Sequence, residues 1–258
     1  MKQTFSLIVI VLLAGAILVG FQKSHSSTNK LPKKITTLFE PIAVVELFTS
    51  QGCSSCPPAD RLLSQTISNK NGKKIFALSY HVDYWNRLGW TDPFSNAGFS
   101  KRQNEYVQAL NINGAYTPQV IVNGNNEFVG SDRAALTAAL SKALKVKAEV
   151  NFKQLEAIQT ADNTIKVTYV AEGDFTDANI NFALVSLSET TAVKRGENGG
   201  ATLTSENIVR QLVTKKAVGS GEITFSGKPI PAIGNAAVIV FIQEQSSFNI
   251  VGAAMAKF

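Results

Sequence analysis

Cys53 and Cys56 are the only cysteines in this 258-residue chain, and two serines separate them. A structural disulfide framework uses more cysteines, spread more widely. A zinc site usually adds two further Cys or His ligands nearby. A lone CxxC pair fits a dithiol that opens and closes, with a thiolate as the nucleophile. The residues on either side sharpen this reading. Ile42–Phe48 (IAVVELF) is an apolar, β-branched run that reads as a buried parallel strand. Pro57 and Pro58 follow Cys56 directly, and proline suits the first turn of a helix. Leu62, Leu63 and Ile67 then recur as one helix face would. The dithiol therefore lies between a strand and a helix start, where free backbone N–H groups and the helix dipole favour an anion. Cys53, nearer the loop, is expected to attack. Cys56, deeper in the helix, is expected to resolve the mixed disulfide. The alternatives are a static disulfide capping the helix, or two inert buried thiols.

Other residues could serve such a dithiol. Tyr80-His81-Val82-Asp83-Tyr84-Trp85 follows a second apolar run, Lys74–Tyr80, and in open α/β sheets this strand end faces the ligand crevice. His81 could stabilise a thiolate or act as general base, with Asp83 orienting it. Tyr84, Trp85 and Trp90 could form an apolar substrate shelf, but packing as core is the favoured reading. Glu46 lies in the first apolar strand, and a buried carboxylate there could accept the proton of the resolving thiol. A solvated Glu46 is the alternative. Arg87, Asp92, Arg102 and Arg133 read as structural. Thr117-Pro118 precedes a short apolar run, and a proline there can simply start a strand.

The elements that would position these residues alternate up to about residue 146. They are a helix over Ala97–Leu110, a strand over Val120–Val122 ended by Asn123-Gly124, and a capped helix over Arg133–Leu144. This pattern argues an α/β domain. From Lys147 onward seven short runs appear: Ala148–Glu156, Ile165–Ala171, Ile180–Ser188, Val209–Val218, Glu222–Phe225, Ala237–Gln243 and Ile250–Ala256. They suggest a β-sandwich, or a sheet annexed to the first domain.

The motifs VVELFTSQGCSSCPPAD, ALSYHVDYWNRLGWTDPFS, KRQNEYVQAL, YTPQVIVNG and FVGSDRAAL resemble the thioredoxin superfamily. More narrowly, they resemble a family of secreted bacterial thioredoxin-like proteins known only as a domain of unknown function. GENGGATLTSENIVRQL extends the similarity to about residues 40–256. The resemblance implies Cys53 and Cys56 as the redox pair, and Pro118 as a cis-proline that packs beside them and helps hold an extended substrate. Thr117, with Trp85 and Tyr84, is a candidate substrate-binding residue. It implies no established substrate. Ser54-Ser55 between the cysteines, and a long segment from Cys56 to Pro118, depart from ordinary thioredoxins and leave the direction of electron flow open.

The expected organisation is a signal peptide or membrane anchor over 1–22, a linker over 23–37, a thioredoxin-like domain over 38–146 and a β-rich C-terminal domain over 147–258. The uncharged apolar run over residues 5–21 either directs export or tethers the chain to a membrane. Both readings place the protein outside the cytoplasm, as a periplasmic or secreted product. The net charge is +6, but Lys2, Lys23, Lys30, Lys33 and Lys34 stand in a leader segment with no acid. The basic excess therefore belongs to that segment, and no basic patch interleaved with aromatics supports nucleic-acid binding. The expected function is thiol–disulfide exchange on protein thiols or disulfides, with no organic cofactor and no resident metal. The alternatives are Cu(I) held by Cys53, Cys56 and His81, or a binding module in which the dithiol is a staple.

Overall fold

Ala43–Thr49 forms strand β1, buried along its whole length. Its side chains alternate between two apolar environments. Ala43, Val45 and Leu47 enter one core, and Val44 and Phe48 enter another. The computed structural model describes residues 38–258. The segments 1–22 and 23–37, read above as leader and linker, lie outside the described residues. Among the described residues no helix is long and apolar enough to cross a membrane.

β1 pairs in parallel with β2 (Ile75–His81) and antiparallel with β3 (Gln119–Val122). β3 turns through Asn123 and Gly124, at φ 48° and 78°, into β4 (Asn126–Val129). Asn-Gly tolerates these positive φ values, and the turn matches strand twist. Helix α1 (Pro57–Ser68) and helix α3 (Arg133–Ala143) cover one face, with Leu62, Leu63, Leu136 and Ala139 against Val45, Leu47 and Val120. Asp132 caps α3 by accepting the Ala135 N–H at 2.9 Å. Helix α2 (Ala97–Ala109) packs on the opposite face, where Phe99 and Tyr106 meet Phe48 and Tyr80.

Seven strands follow: β5 (Val150–Gln159), β6 (Ile165–Gly173), β7 (Ala178–Ala192), β8 (Thr202–Lys216), β9 (Ser220–Phe225), β10 (Ala236–Glu244) and β11 (Ile250–Lys257). Their assembly overturns the expected fold class. β8 joins β2 in parallel through Ser79 and Ile208, so one mixed sheet of eight strands runs β11-β10-β7-β8-β2-β1-β3-β4. The α/β thioredoxin-like domain followed by a separate sandwich is not what this sequence builds. Strands dominate, with three α-helices against eleven strands among the described residues. The physical reason is the edge of β2. Left open, its N–H and C=O groups would lack partners. β8 covers that edge, and Ser79 Oγ and the Ala77 carbonyl bond Glu206 O and Asn207 Nδ2 at 2.9 Å.

The long sheet curls until its far end returns over its beginning. The Ile250 N–H donates to the Asn123 carbonyl at 3.1 Å. Ile239 and Phe241 of β10 share a core with Phe48 and Tyr80. A smaller sheet, β5-β6-β9, packs Ile165, Val167 and Phe225 against Phe182, Val238 and Val240 of the large one.

Candidate functional site

β1 ends at Thr49, and the chain turns through Ser50-Gln51-Gly52 to Cys53. Three hydrogen bonds shape the turn. Gln51 N–H donates to Asp92 Oδ2 at 2.7 Å, Gly52 N–H to Ser50 Oγ at 3.0 Å, and Cys53 N–H to the Ser50 carbonyl at 3.2 Å. Cys56 is the N-terminal cap of α1, and its carbonyl accepts the Ala59 and Asp60 N–H groups at 2.9 and 3.1 Å. Pro57 and Pro58 occupy helix positions that need no donor.

Cys53 and Cys56 form a disulfide with a Cα–Cα separation of 5.4 Å. Both are fully buried. The expected contrast, an open Cys53 and a deeper Cys56, is therefore absent in the oxidised state. Cys53 Sγ is covered by Ser55 Oγ at 3.3 Å and faces the Thr117 carbonyl at 3.9 Å. The serines between the cysteines are exposed.

Thr117-Pro118 is a cis peptide and leads into β3. Gly130 donates its N–H to the Pro118 carbonyl at 2.8 Å and lies close to Pro118, Leu47 and Ala59. Trp85 Nε1 donates to Thr117 Oγ1 at 2.8 Å, so two of the expected substrate-binding residues are joined beside the dithiol. The Tyr84 hydroxyl donates to Gln103 Oε1 of α2 at 3.3 Å and also interacts with the Thr117 side chain. Trp90 Nε1 donates to Gln51 Oε1 at 3.1 Å and so braces the dithiol turn.

His81, at the end of β2 and paired with Thr49, is buried beneath this turn. Its Nδ1 meets Asp92 Oδ2 at 2.7 Å. Asp83, expected to orient His81, instead accepts Ser100 Oγ at 2.5 Å. The correction follows from where the strand stops: β2 ends at His81, and Asp83 already lies in the bend that leads away from it. Burial pulls the His81 pKa down, but the charge and hydrogen bond of Asp92, with Asp60 beyond, leave it above the ordinary value. Burial raises the Asp92 pKa, while His81 and the Gln51 and Phe94 N–H groups bring it below the usual value. Asp60 is one helical turn after Cys56. Burial pushes its pKa up to about 6, against the opposing pull of His81 and of the Thr49 hydroxyl. Asp60 Oδ1 and His81 Nε2 are both buried without a hydrogen-bond partner.

Glu46 does not belong to this cluster. Its side chain lies on the α2 face of β1, where Arg102 grips it with Nε–Oε2 at 2.6 Å and an Nη–Oε1 contact at 3.0 Å, and Tyr106 donates its hydroxyl to it. Gln243 of β10 closes the network through Arg102 and Tyr106. The expected role as proton acceptor is replaced by a buried ion pair that plugs the curled sheet. Alternation along β1 sends Leu47, not Glu46, toward α1.

The second half of the chain also reaches the dithiol, which the sequence reading did not foresee. In the β7–β8 loop, Asn198 Nδ2 donates to the Gln51 and Cys53 carbonyls, each at 2.9 Å. Glu197 Oε2 accepts the Ser54 N–H at 3.0 Å. The available signal was the GENGG stretch, whose small residues suit a loop pressed against another backbone. For the Cu(I) alternative, the two sulfurs are bonded to each other and His81 Nδ1 is taken by Asp92. No three His, Cys, Asp or Glu side chains are grouped to hold a metal among the described residues.

No curated protein matches the sequence. A solved structure from Agrobacterium tumefaciens is 30% identical, with a TM-score of 0.62 over 84% of this chain and 95% of that one. HBP35 of Porphyromonas gingivalis is 15% identical, with a TM-score of 0.61 over 84% of this chain and 75% of its own, a likeness of fold alone. A family model covers residues 44–243, and the chain belongs to that family, described as protein of unknown function DUF1223.

Proposed function

We propose that the chain is a thiol–disulfide oxidoreductase acting on protein thiols or disulfides outside the cytoplasm. The observation that carries this reading is the seating of the Cys53–Cys56 disulfide at the start of α1, with the Thr117 carbonyl beside Cys53. A helix start favours the thiolate that forms when the disulfide opens. A substrate thiolate attacks Cys53 Sγ, the Cys53–Cys56 bond breaks, and Cys56 leaves as a thiolate that takes up a proton. The substrate's second thiolate then attacks the mixed disulfide. Cys53 is released and protonated, and the substrate departs with its own disulfide. Two electrons and two protons have moved to the protein, and the reverse sequence returns them. Asp60 and His81 are the buried titratable groups next to this turn, and we assign proton exchange with Cys56 to Asp60 rather than to Glu46. Disulfides persist in oxidising compartments, which supports the extracytoplasmic placement.

The complete burial of both sulfurs favours a second reading, in which the disulfide is a static staple and the protein is a binding module. Equilibration of the purified protein in glutathione buffers, with Cys53→Ser as control, separates the two. A reversible couple between about −120 and −270 mV supports the oxidoreductase. A disulfide that stays closed beyond about −300 mV overturns it in favour of the staple.

A further inference from the structure

The Ser54 N–H, next to the sulfur that would become a thiolate, is occupied by a carboxylate from 143 residues away. An anion here is an odd choice if the only aim is to stabilise a thiolate. The scaffolding shows that it is placed firmly. The β7–β8 loop closes on itself through Gly199 N–H to Gly196 O at 3.0 Å, Gly200 N–H to Val193 O at 2.8 Å and Ala201 N–H to Asn198 O at 3.0 Å. Gly196, at φ 78°, packs so that a Cβ would stand 3.2 Å from the Cβ of Trp90. Asn198 then ties the loop to the carbonyls on both sides of Gly52. The loop that carries Glu197 is thus fixed, while the carboxylate itself bonds the Ser54 N–H and remains open to solvent.

We propose that Glu197 is a positioning residue whose negative charge disfavours the Cys53 thiolate and so keeps the dithiol on the reducing side. This deepens, and rests on, the oxidoreductase reading. The argument is electrostatic. The carboxylate sits one residue from Cys53, within the Debye length of about 8 Å at physiological salt. The disulfide is neutral and does not feel the charge. The thiolate formed on reduction does, so at pH values where Cys53 ionises the reduced form is raised in energy and the potential falls. Glu197 also engages a donor that would otherwise be free to approach the thiolate. The other charges around the dithiol, Asp60, His81 and Asp92 beneath it, Arg61 on α1, and Lys194 and Arg195 on the same loop, are common to every variant below. Differences among the variants therefore isolate position 197.

The test measures the rate of Cys53 alkylation at pH 6 to 7, and the glutathione equilibrium at about pH 9, above the ordinary thiol pKa of about 8.5, in the wild type, Glu197→Gln and Glu197→Lys. Gln keeps an oxygen for the Ser54 N–H and removes only the charge. The equilibrium is expected to shift toward the dithiol by three- to tenfold in Glu197→Gln, where tenfold corresponds to about 30 mV. Glu197→Lys should shift it further. Alkylation should accelerate by a similar factor. In 1 M KCl, where the Debye length is about 3 Å, the difference should fall below twofold. A low-salt shift under twofold in both variants overturns the proposal and leaves the oxidoreductase standing. A shift that survives 1 M KCl undiminished also overturns it, because the cause is then structural. A wild-type disulfide that glutathione does not reduce overturns the oxidoreductase reading and this one with it.

Discussion

His81 Nδ1 lies 2.7 Å from Asp92 Oδ2, and the same oxygen accepts the Gln51 N–H at 2.7 Å. One carboxylate oxygen thus ties the end of β2 to the turn that carries Cys53. Both side chains are buried, so removing one partner strands the other, at a cost of roughly 3–5 kcal/mol. Asp92→Ala is expected to lose stability in that range in urea melts. The pH dependence follows from the signs. The His81 pKa is raised in the fold, so its contribution is full below the ordinary 6.5 and is lost as pH climbs through the folded value. The Asp92 pKa is lowered, so its contribution is present above 3.8 and is lost as pH falls through the folded value. The gap between wild type and variant should be widest from about pH 4 to 6.5 and narrower on both sides. A gap that is constant with pH would mean that the pair is not ionic.

Asp60 has the opposite sign. Its pKa is about 6 in the fold against 3.8 without perturbation. Between those values the unfolded chain ionises and the fold does not, so stability falls as pH rises across that window and stays lower above it. Asp60→Asn should therefore be more stable than the wild type at pH 7, by an upper bound of about 3 kcal/mol. Partial exposure of the residue reduces this. Below about pH 4 the difference should vanish. If Asp60 serves Cys56, the same variant slows resolution of the mixed disulfide, which quenched-flow trapping would measure. Equal stability at pH 7 would show that Asp60 carries no burial penalty.

Glu46 and Arg102 form a bidentate pair inside the curled sheet. Arg102→Met leaves the Glu46 charge without its partner and should cost about 3–5 kcal/mol. Adding Glu46→Gln removes that charge, so the double variant should recover part of the loss, giving a positive coupling energy in a double-mutant cycle. The glutathione equilibrium of Cys53 and Cys56 should stay within twofold of wild type in every folded variant. A larger change would return Glu46 to the dithiol's proton chemistry.

The strand–dithiol–helix unit was legible because its signals are local. An apolar β-branched run, a CxxC pair and two prolines suffice to place β1 and α1, although Cys56 caps the helix rather than lying one turn inside it. The runs over Ile165–Ala171 and Ala237–Gln243 were legible as strands for the same reason. How the strands join was not. Ser79 and Ile208 are far apart in sequence, and nothing in either strand names the other as partner, since sheet pairing is decided by edges and packing after the strands exist. The same limit explains the site. Glu46 was given a role from its distance along the chain to Cys53, whereas pleat alternation sent it to the other face. Asp92 was read only as structural and Glu197 was not singled out, because each reaches the dithiol turn from a loop, through contacts that only the assembled sheet creates.

Gly130 stands where Pro118 meets α1. A Cβ there would be 2.9 Å from Leu47 Cδ1, 3.1 Å from Pro118 Cβ and 3.2 Å from Ala59 Cβ. The Leu47 methyl can rotate away. The Pro118 and Ala59 Cβ atoms are fixed by a ring and by the helix backbone, so both must yield. Gly130→Ala is therefore expected to cost about 1–3 kcal/mol as overpacking and to shift Pro118 relative to the dithiol. If substrate binds along the Thr117-Pro118 edge, disulfide exchange with a model peptide should slow by at least threefold under conditions where the variant is fully folded. Gly114→Ala is the control. A Cβ at Gly114 meets nothing within 4 Å, so its stability should hold or rise slightly through a less flexible unfolded chain, and exchange should be unchanged. Equal exchange rates in folded Gly130→Ala and Gly114→Ala would show that substrate does not use the Pro118 edge, and would direct attention to the Glu197 side of the disulfide.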